Sequence, residues 1–387
     1  MKNMSLFSQI LDLIPKSLFK KLVKKHKAEY RSKGFSSWDQ LVAMLFCQFA
    51  QAASLREITM GLQSCEGKLS HLGIDPLSRS TLAYANEVRS WELYKELFDE
   101  LLKMVKSESK STTRNFNFSQ KLYSIDSSTI DLCLSVFSWA KYRTTKGAIK
   151  LHMRLDHDGY LPDFLIVTDG KKSDVATAWE YPYDEGTISV FDRGYNDFKL
   201  FQHITDLRAF FVTRLKSNAK YEVVEELAMP DKHDPDLISD SIIKLTGAGA
   251  DESYTGNLRL ICAVDTEGRD IRFLTNNFDL DVETISNIYR ERWKIELFFK
   301  EIKQNLKVKT FVGTSENAVM IQIYTALVTI LLLKYLKMKS SYKWSMSNLA
   351  ALIRMNLFTY KSLFDWINAP FLKSSSTEST DMTPQTG

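Results

Sequence analysis

The chain has 387 residues, of which 44% are hydrophobic and 25% charged, and its formal net charge is +4. These values are ordinary for a soluble globular protein, and the length allows two or three domains. Because the net charge is small, any nucleic-acid surface must come from local basic clusters. The four cysteines form no Cys-x-x-Cys pair, which argues against a zinc site or a disulfide framework and fits a reducing compartment.

Residues 1–106 show apolar residues at helical spacing and predict a helical domain. Its first third carries nine Lys or Arg between positions 2 and 33. A solvated helix face and a DNA-contacting domain both fit this cluster. The segment lacks the apolar core and cleavage site of a signal peptide, so we expect a cytoplasmic protein. Residues 107–120 have the composition of a linker.

From residue 121 the pattern changes to short β-type runs, which predict a meander and then strands alternating with short helices at 174–179 and 196–207. Residues 220–280 are predicted to form further strands and polar loops, and residues 313–372 are predicted to form apolar helices. The run 319–333 is only fifteen residues long and contains polar side chains, so it predicts a buried core helix and no membrane span. The tail, 373–387, is expected to be disordered.

The most informative stretch is YRERWKIELFFKEIK, residues 289–303. If it is one helix, a face about 60° wide is polar and the opposite face is apolar. The polar face is formed by Tyr289, Arg292, Glu296 and Lys303. A glutamate flanked by bases suits a metal ion beside a phosphate, although a charged helix face is also typical of simple solvent exposure.

Two aspartates complete a candidate metal site with Glu296. Asp126 lies in YSIDSST and Asp192 in ISVFDRGY, each at the expected polar end of an apolar strand. Either aspartate alone also fits a structural turn. Together, three carboxylates can hold two divalent cations about 4 Å apart, with Mg²⁺ the physiological choice, Mn²⁺ an alternative ion, and Asp126 the bridging ligand. His152 reads as a packed strand residue.

At these residues the chain resembles the DDE transposases of bacterial insertion sequences, in the large insertion-sequence family four marked by Y-x2-R-x3-E-x6-K. The resemblance also covers IDSST, WAKYRTTKGAIKLH, FDRGY and FVTRLK. It implies an α/β RNase H-like catalytic domain over 121–312, with a β-rich insertion at 220–280, preceded by the helical N-terminal domain and followed by C-terminal helices. It places Asp126 on the first strand, Asp192 on the fourth and Glu296 on a later helix.

The resemblance further implies that Tyr289, Arg292 and Lys303 contact phosphates near the cleaved end of the element. Other basic and aromatic side chains near the expected core are candidate DNA contacts, with solvated surface as the alternative. These candidates are Trp293, Arg193, Lys146, Arg143, Lys150, Arg214 and Lys216.

Relatives that form a hairpin on the transposon end are expected to stack a flipped base on a tryptophan in the insertion. Residues 220–288 contain no tryptophan. Aromatic substitutes are Tyr221, Tyr254, Phe273 and Phe278. Whether excision uses a hairpin therefore stays open.

The leading hypothesis is a transposase that binds terminal inverted repeats, cuts DNA with Mg²⁺ and joins the 3′-hydroxyls to target DNA. Its partners would be double-stranded DNA, both ends and target, and a second subunit in a homodimeric synaptic complex at the nucleoid. The alternatives are a nuclease with the same core chemistry but no strand transfer, and a catalytically silent DNA-binding protein derived from a transposase.

Overall fold

The computed structural model describes residues 4–30, 32, 34–65, 67, 69–108, 116, 118–133, 135–140, 147–247, 250–308 and 310–371. Within these residues the chain forms helices at both ends and a large sheet between them. The helices are α1 Leu6–Leu11, α2 Lys16–Lys25, α3 Ser37–Ala50, α4 Leu55–Gln63, α5 Leu69–Leu72, α6 Arg79–Val88, α7 Glu92–Glu108, α8 Asp174–Ala178, α9 Phe198–Asp206, α10 Ala250–Ser253, α11 Val282–Glu291, α12 Trp293–Asn305, α13 Glu316–Lys339, α14 Met346–Asn356 and α15 Leu363–Asn368.

The strands are β1 Leu122–Leu132, β2 Gly147–Asp156, β3 Leu161–Asp169, β4 Ile188–Phe191, β5 Phe210–Arg214, β6 Lys220–Leu227, β7 Leu237–Thr246, β8 Leu258–Val264 and β9 Asp270–Thr275. They form one sheet in the order β3-β2-β1-β4-β5-β9-β8-β7-β6. Only the β1–β4 and β4–β5 pairs are parallel. The strands of 220–280 therefore continue the same sheet, because β9 pairs with β5.

A single apolar cluster joins the N-terminal helices, one face of the sheet and the C-terminal helices. At its centre lies α13, where Trp91 stacks on Tyr324 with ring centroids 5.5 Å apart. The buried amide of Gln48 on α3 donates to the Gln322 carbonyl, 3.3 Å away, and its oxygen accepts from the Lys307 backbone, 2.8 Å away. Buried amides paired in this way fix the angle between the helices as well as adding contact area.

Among the described helices, α13 is long and apolar enough to cross a membrane by composition, but 89% of its most apolar window is buried inside the protein. This agrees with the expected core helix. On the other face of the sheet, α8 and α9 cover a cluster of stacked phenylalanines, with the rings of Phe201 and Phe211 4.4 Å apart. The expected helices at 174–179 and 196–207 correspond to α8 and α9.

Two expected boundary segments fall mostly outside the described residues. Within the expected linker, α7 continues to Glu108, and residues 109–115 and 117 are not described. The tail from 372 onward also lies outside the described residues. The domain limits drawn from composition stay predictions.

Candidate active site

Asp126 and Asp192 lie at the same level on neighbouring parallel strands. The pairing of β1 with β4 ends at Ile125 opposite Phe191, and each aspartate is the next residue of its chain. The expectation that Asp126 ends its strand is wrong, because β1 runs on to Leu132 beside β2. The parallel pairing with β4 ends just before Asp126, because β4 stops at Phe191. From Asp126 onward, the strand pairs with β2 and no longer with β4.

Asp192 is held by a tight turn. Its Oδ1 accepts a hydrogen bond from the Gly194 backbone N–H, 2.7 Å away, and the turn begins the short 3₁₀ helix Arg193–Tyr195. A Cβ on residue 194 would lie 2.8 Å from that same oxygen. The glycine of Asp-Arg-Gly-Tyr is therefore required by close approach to the carboxylate.

Glu296 lies in the first turn of α12, and the expected single helix from Tyr289 to Lys303 is two helices. They meet at Arg292, where hydrogen bonding tightens to i→i+3: the Arg292 N–H donates to the Tyr289 carbonyl at 3.2 Å. Tyr289 therefore belongs to α11, and its ring packs on Phe273 with centroids 5.1 Å apart. A tightened turn of this kind often occurs at functional positions.

Arg292 stands between the two carboxylates that flank it. One guanidinium nitrogen is 2.7 Å from Glu296 Oε1 and the other is 3.7 Å from Asp126 Oδ2. Its buried Nε has no hydrogen-bond partner among the described residues. The guanidinium thus provides positive charge to both acids.

The pKa of Asp126 is raised to about 7, chiefly by burial and further by Asp192 and Glu296, while the Ser127 backbone N–H and Arg292 lower it. No three acidic, histidine or cysteine side chains among the described residues are arranged to hold one metal ion. Arg292 lies between Asp126 and Glu296. The donor chemistry, oxygen only, suits a hard divalent cation.

Two recesses lie on either side of Arg292. The first, which we call the carboxylate recess, has a volume of about 410 Å³. Residues of β1 and α12 line it, among them Asp126, Ser127, Ser128, Glu296, Lys300 and Lys303. Lys303 donates to the Thr129 carbonyl, 3.0 Å away, so it lies at the site as expected. Lys300 was not predicted as a site residue, although it follows Glu296 by one helical turn and this spacing places both on the same face of α12.

The second, which we call the arginine recess, has a volume of about 420 Å³. It brings together Asp192, Arg193, Arg214, Arg269, Tyr289 and Arg292. Asp265 and Asp270 complete its wall from the turn between β8 and β9. The sequence motifs indicated every member except those of this turn. Arg269 has no local signal, because only the pairing of β9 with β5 carries the turn to Asp192.

The remaining predicted DNA contacts are dispersed. Trp293, beside Arg292, is 55% exposed. Lys216 is exposed and lines a separate recess, with its ammonium 3.4 Å from the Asn196 carbonyl. Lys150 points inward, because its ammonium lies 3.0 Å from Asp174 Oδ1, and this ion pair argues against a DNA contact. Arg143 and Lys146 lie outside the described residues.

Burial narrows the choice of stacking aromatics in the 220–280 region. Tyr254 and Phe273 are both 3% exposed and belong to the core. Tyr221 is partly exposed, and Phe278 is 46% exposed. Of the four aromatic substitutes, only these last two offer a ring surface to a base.

The fold is mixed α/β, and its site gathers two aspartates from the edge where β1 and β4 separate, a helical glutamate and several arginines. Acidic and basic side chains in this arrangement are typical of the class of proteins that act on phosphodiesters. Comparison with known families names it: the chain belongs to the transposase DDE domain family, whose model matches residues 117–332. A second model, described as a domain of unknown function (DUF4372), matches residues 2–75. The resemblance drawn from the motif residues is thereby confirmed.

Similar proteins carry transposase names. Putative transposase y4zB of Sinorhizobium fredii is 30% identical over 272 residues, which cover 69% of this chain and 74% of the relative. The probable transposase for insertion sequence element IS5377 of Geobacillus stearothermophilus is 30% identical over 62% of this chain and 63% of its own length. The putative transposase for insertion sequence element IS4SA of Synechocystis is 28% identical over 52% of this chain and 53% of its own length.

Among solved structures, the cryo-EM structure of the piggyBac transposase synaptic complex with hairpin DNA matches 94% of this chain and 82% of its own chain. The sequence identity is 11% and the TM-score is 0.42.

Proposed function

We propose that this protein is the transposase of an insertion sequence. It binds the terminal inverted repeats of its element, cuts the DNA at their ends and joins the freed 3′-hydroxyls to target DNA. Two subunits act on two ends in one synaptic complex, in the cytoplasm at the nucleoid. The observation that carries the proposal is the register of β1 and β4, after which Asp126 and Asp192 follow at the same level, with Arg292 reaching both Asp126 and Glu296. The strand order β3-β2-β1-β4-β5 supports an RNase H-like core around them.

Asp126, Asp192 and Glu296 are the residues that would hold the divalent cations of the family. When bound, Mg²⁺ or Mn²⁺ supplies charge neutralisation at the reacting phosphate and lowers the pKa of the attacking water or hydroxyl. The protein's own contribution is a rigid frame: a strand position for Asp126, a closed turn for Asp192 and a helix start for Glu296.

The arginine recess is proposed to bind the phosphates that flank the scissile bond. Guanidinium groups form paired, charge-assisted hydrogen bonds with phosphate oxygens, and several of them around one recess fix the position of the DNA as well as its affinity. Arg292 reaches this recess from between Asp126 and Glu296. Phosphoryl transfer depends mainly on positioning and charge stabilisation, so these contacts contribute directly to rate.

The test compares Asp126→Asn and Glu296→Gln with the unaltered protein on DNA carrying the terminal inverted repeats. We expect either change to reduce cleavage on the order of 10³-fold or more, because a ligand charge is lost, while end binding in EDTA changes little. Cleavage is read on gels and binding by fluorescence anisotropy. Retained cleavage in a folded Asp126→Asn protein would contradict the assignment.

A strand-transfer assay with precleaved ends distinguishes a transposase from a nuclease that cannot join strands. Joining of those ends to a target plasmid supports the transposase. Cutting without joining favours the nuclease that shares this core chemistry. Binding with neither reaction, at any Mg²⁺ or Mn²⁺ concentration, favours a silent DNA-binding protein.

A further inference from the structure

A buried polar cluster lies behind Asp126, on the opposite face of the sheet. Ser127 pairs in register with His152 of β2, and successive strand residues point to opposite faces, so Ser127 faces away from Asp126. His152 is fully buried. Its Nδ1 lies 3.4 Å from Asp174 Oδ1, and its Nε2 lies 2.9 Å from the Thr168 hydroxyl. Neighbours from β1, β2, β3 and α8 therefore converge on one point.

Asp174 is the centre of this cluster. It opens α8, and Lys150 of β2 approaches it with an ammonium-to-carboxylate distance of 3.0 Å. Burial would raise the pKa of this carboxyl, but His152, Ser127 and Lys150 together bring it below its usual value. Lys150 is paired with the carboxylate directly and His152 lies beside it, which is how a half-buried charge is stabilised.

The cluster reaches the active site through the backbone of Ser127. The Ser127 N–H donates to Asp126 Oδ1 at 2.7 Å, while its hydroxyl faces Asp174. We propose that Asp174, held by His152 and Lys150, is a positioning residue that fixes Ser127 and, through the Ser127 N–H, the orientation of the Asp126 carboxylate. This inference rests on the proposed function, in which Asp126 is a metal ligand.

The physical reason lies in the position of Asp126. Beyond Ile125 the strand β1 has lost its parallel neighbour β4, so backbone pairing holds it on one side only. A second support from the opposite face restores rigidity where a metal ligand requires it. Outer partners of metal ligands are typically worth about 10- to 100-fold in metal affinity or activity.

The experiment measures Mn²⁺ binding by electron paramagnetic resonance on the full chain without DNA, and the Mn²⁺ concentration that gives half-maximal end cleavage. Asp174→Asn and Ser127→Ala are expected to raise both concentrations about 10- to 100-fold, with DNA-end binding in EDTA unchanged. Ser127→Thr, which keeps the hydroxyl, is expected to restore values near those of the unaltered protein. A purely structural role would lower the melting temperature and end binding without a selective change in metal dependence.

The matched control is Ser189→Ala. Ser189 is a buried serine on the neighbouring strand β4, and its hydroxyl has no hydrogen-bond partner among the described residues. Its removal is expected to leave the metal dependence unchanged. If Asp174→Asn does not fold, the smaller Ser127→Ala change decides the outcome.

The inference is overturned if folded Ser127→Ala shows the metal dependence of the unaltered protein, or if Ser189→Ala shifts it equally. Failure of the proposed function has a different signature. In that case Asp126→Asn itself would still cut, whatever the behaviour of the Asp174 and Ser127 variants.

Discussion

The carboxylate recess and the arginine recess are neighbours of similar volume but different composition. The first is built on one strand and one helix, β1 and α12, and holds two carboxylates with two lysines. The second gathers the ends of β4 and β5, the β8–β9 turn and the helix junction, and holds four arginines with three aspartates. One recess suits a metal ion and the other suits phosphate.

A single side chain, Arg292, lies between the two recesses. Arg292 lines the arginine recess, while its guanidinium bonds to Glu296 and approaches Asp126. A cation held by Asp126 and Glu296 would compete with this guanidinium for the same two carboxylates. We therefore expect metal binding and phosphate binding to affect each other. A substitution at the proposed metal ligands can therefore be tested for its effect on DNA binding, and a substitution at the arginines for its effect on metal binding.

Asp192→Asn is expected to have the largest effect on cleavage, because this acid lines the arginine recess and is also a proposed metal ligand. Cleavage should fall on the order of 10³-fold, while end binding is retained or strengthened by the loss of a negative charge beside four arginines. Gel assays of cleavage and anisotropy of binding check both. Asp206→Asn, at the exposed end of α9, is the control. A parallel loss of binding and cleavage would assign Asp192 to phosphate binding or folding instead.

Gly194→Ala is expected to have the second largest effect on cleavage. The added Cβ would lie 2.8 Å from Asp192 Oδ1, so the carboxylate must move. Because the displaced atom ends a flexible side chain, stability should change little, but a misplaced catalytic group can cost about 10²-fold in rate. Cleavage rates measure the catalytic effect, and thermal melts measure any change in stability. Gly67→Ala, where an added Cβ meets open space, provides the comparison, and equal rates in both variants would exclude the close-approach argument.

Arg193→Ala and Arg214→Ala are expected to weaken end binding about tenfold each, as the loss of a charged hydrogen bond would. Since each arginine that neutralises a phosphate releases a counterion, the plot of log K against log salt should become less steep by about 0.9 per arginine. Anisotropy titrations across a KCl series measure the slope. Arg208→Ala removes an exposed arginine paired with Glu185 and should not alter it. Unchanged slopes in all three would leave the arginine recess without a DNA role.

Arg292→Ala is expected to have the smallest and the most diagnostic effect. Without DNA, removal of the guanidinium that competes for Asp126 and Glu296 should tighten Mn²⁺ binding about fivefold, the size of one ion pair. Isothermal calorimetry measures this on the DNA-free protein. Arg290→Ala, on the same helix and paired with Asp234, is the control. Weaker Mn²⁺ binding would mean that Arg292 supports the metal ligands rather than competing with them.

Much of the site could be predicted from the sequence because its signals are local. Apolar runs located the strands that carry Asp126 and Asp192, and residue spacing placed Glu296 and Lys303 on one helix. The same local reasoning was wrong for Tyr289, which the break at Arg292 assigns to another helix. Lys150 looked like a DNA contact because its sequence neighbours are basic, whereas its partner Asp174 is 24 residues away.

The residue pattern is enough to show which side chains are acidic, basic or apolar along each strand and helix, and it carries the spacing that identifies the family. Which of these side chains meet depends on the tertiary structure. It aligned Asp126 with Asp192 through the register of two strands, inserted Arg292 between acids and brought Arg269 to the site through β9. Pairing register and helix junctions depend on contacts between residues far apart in the chain, and no pattern within a short window encodes them.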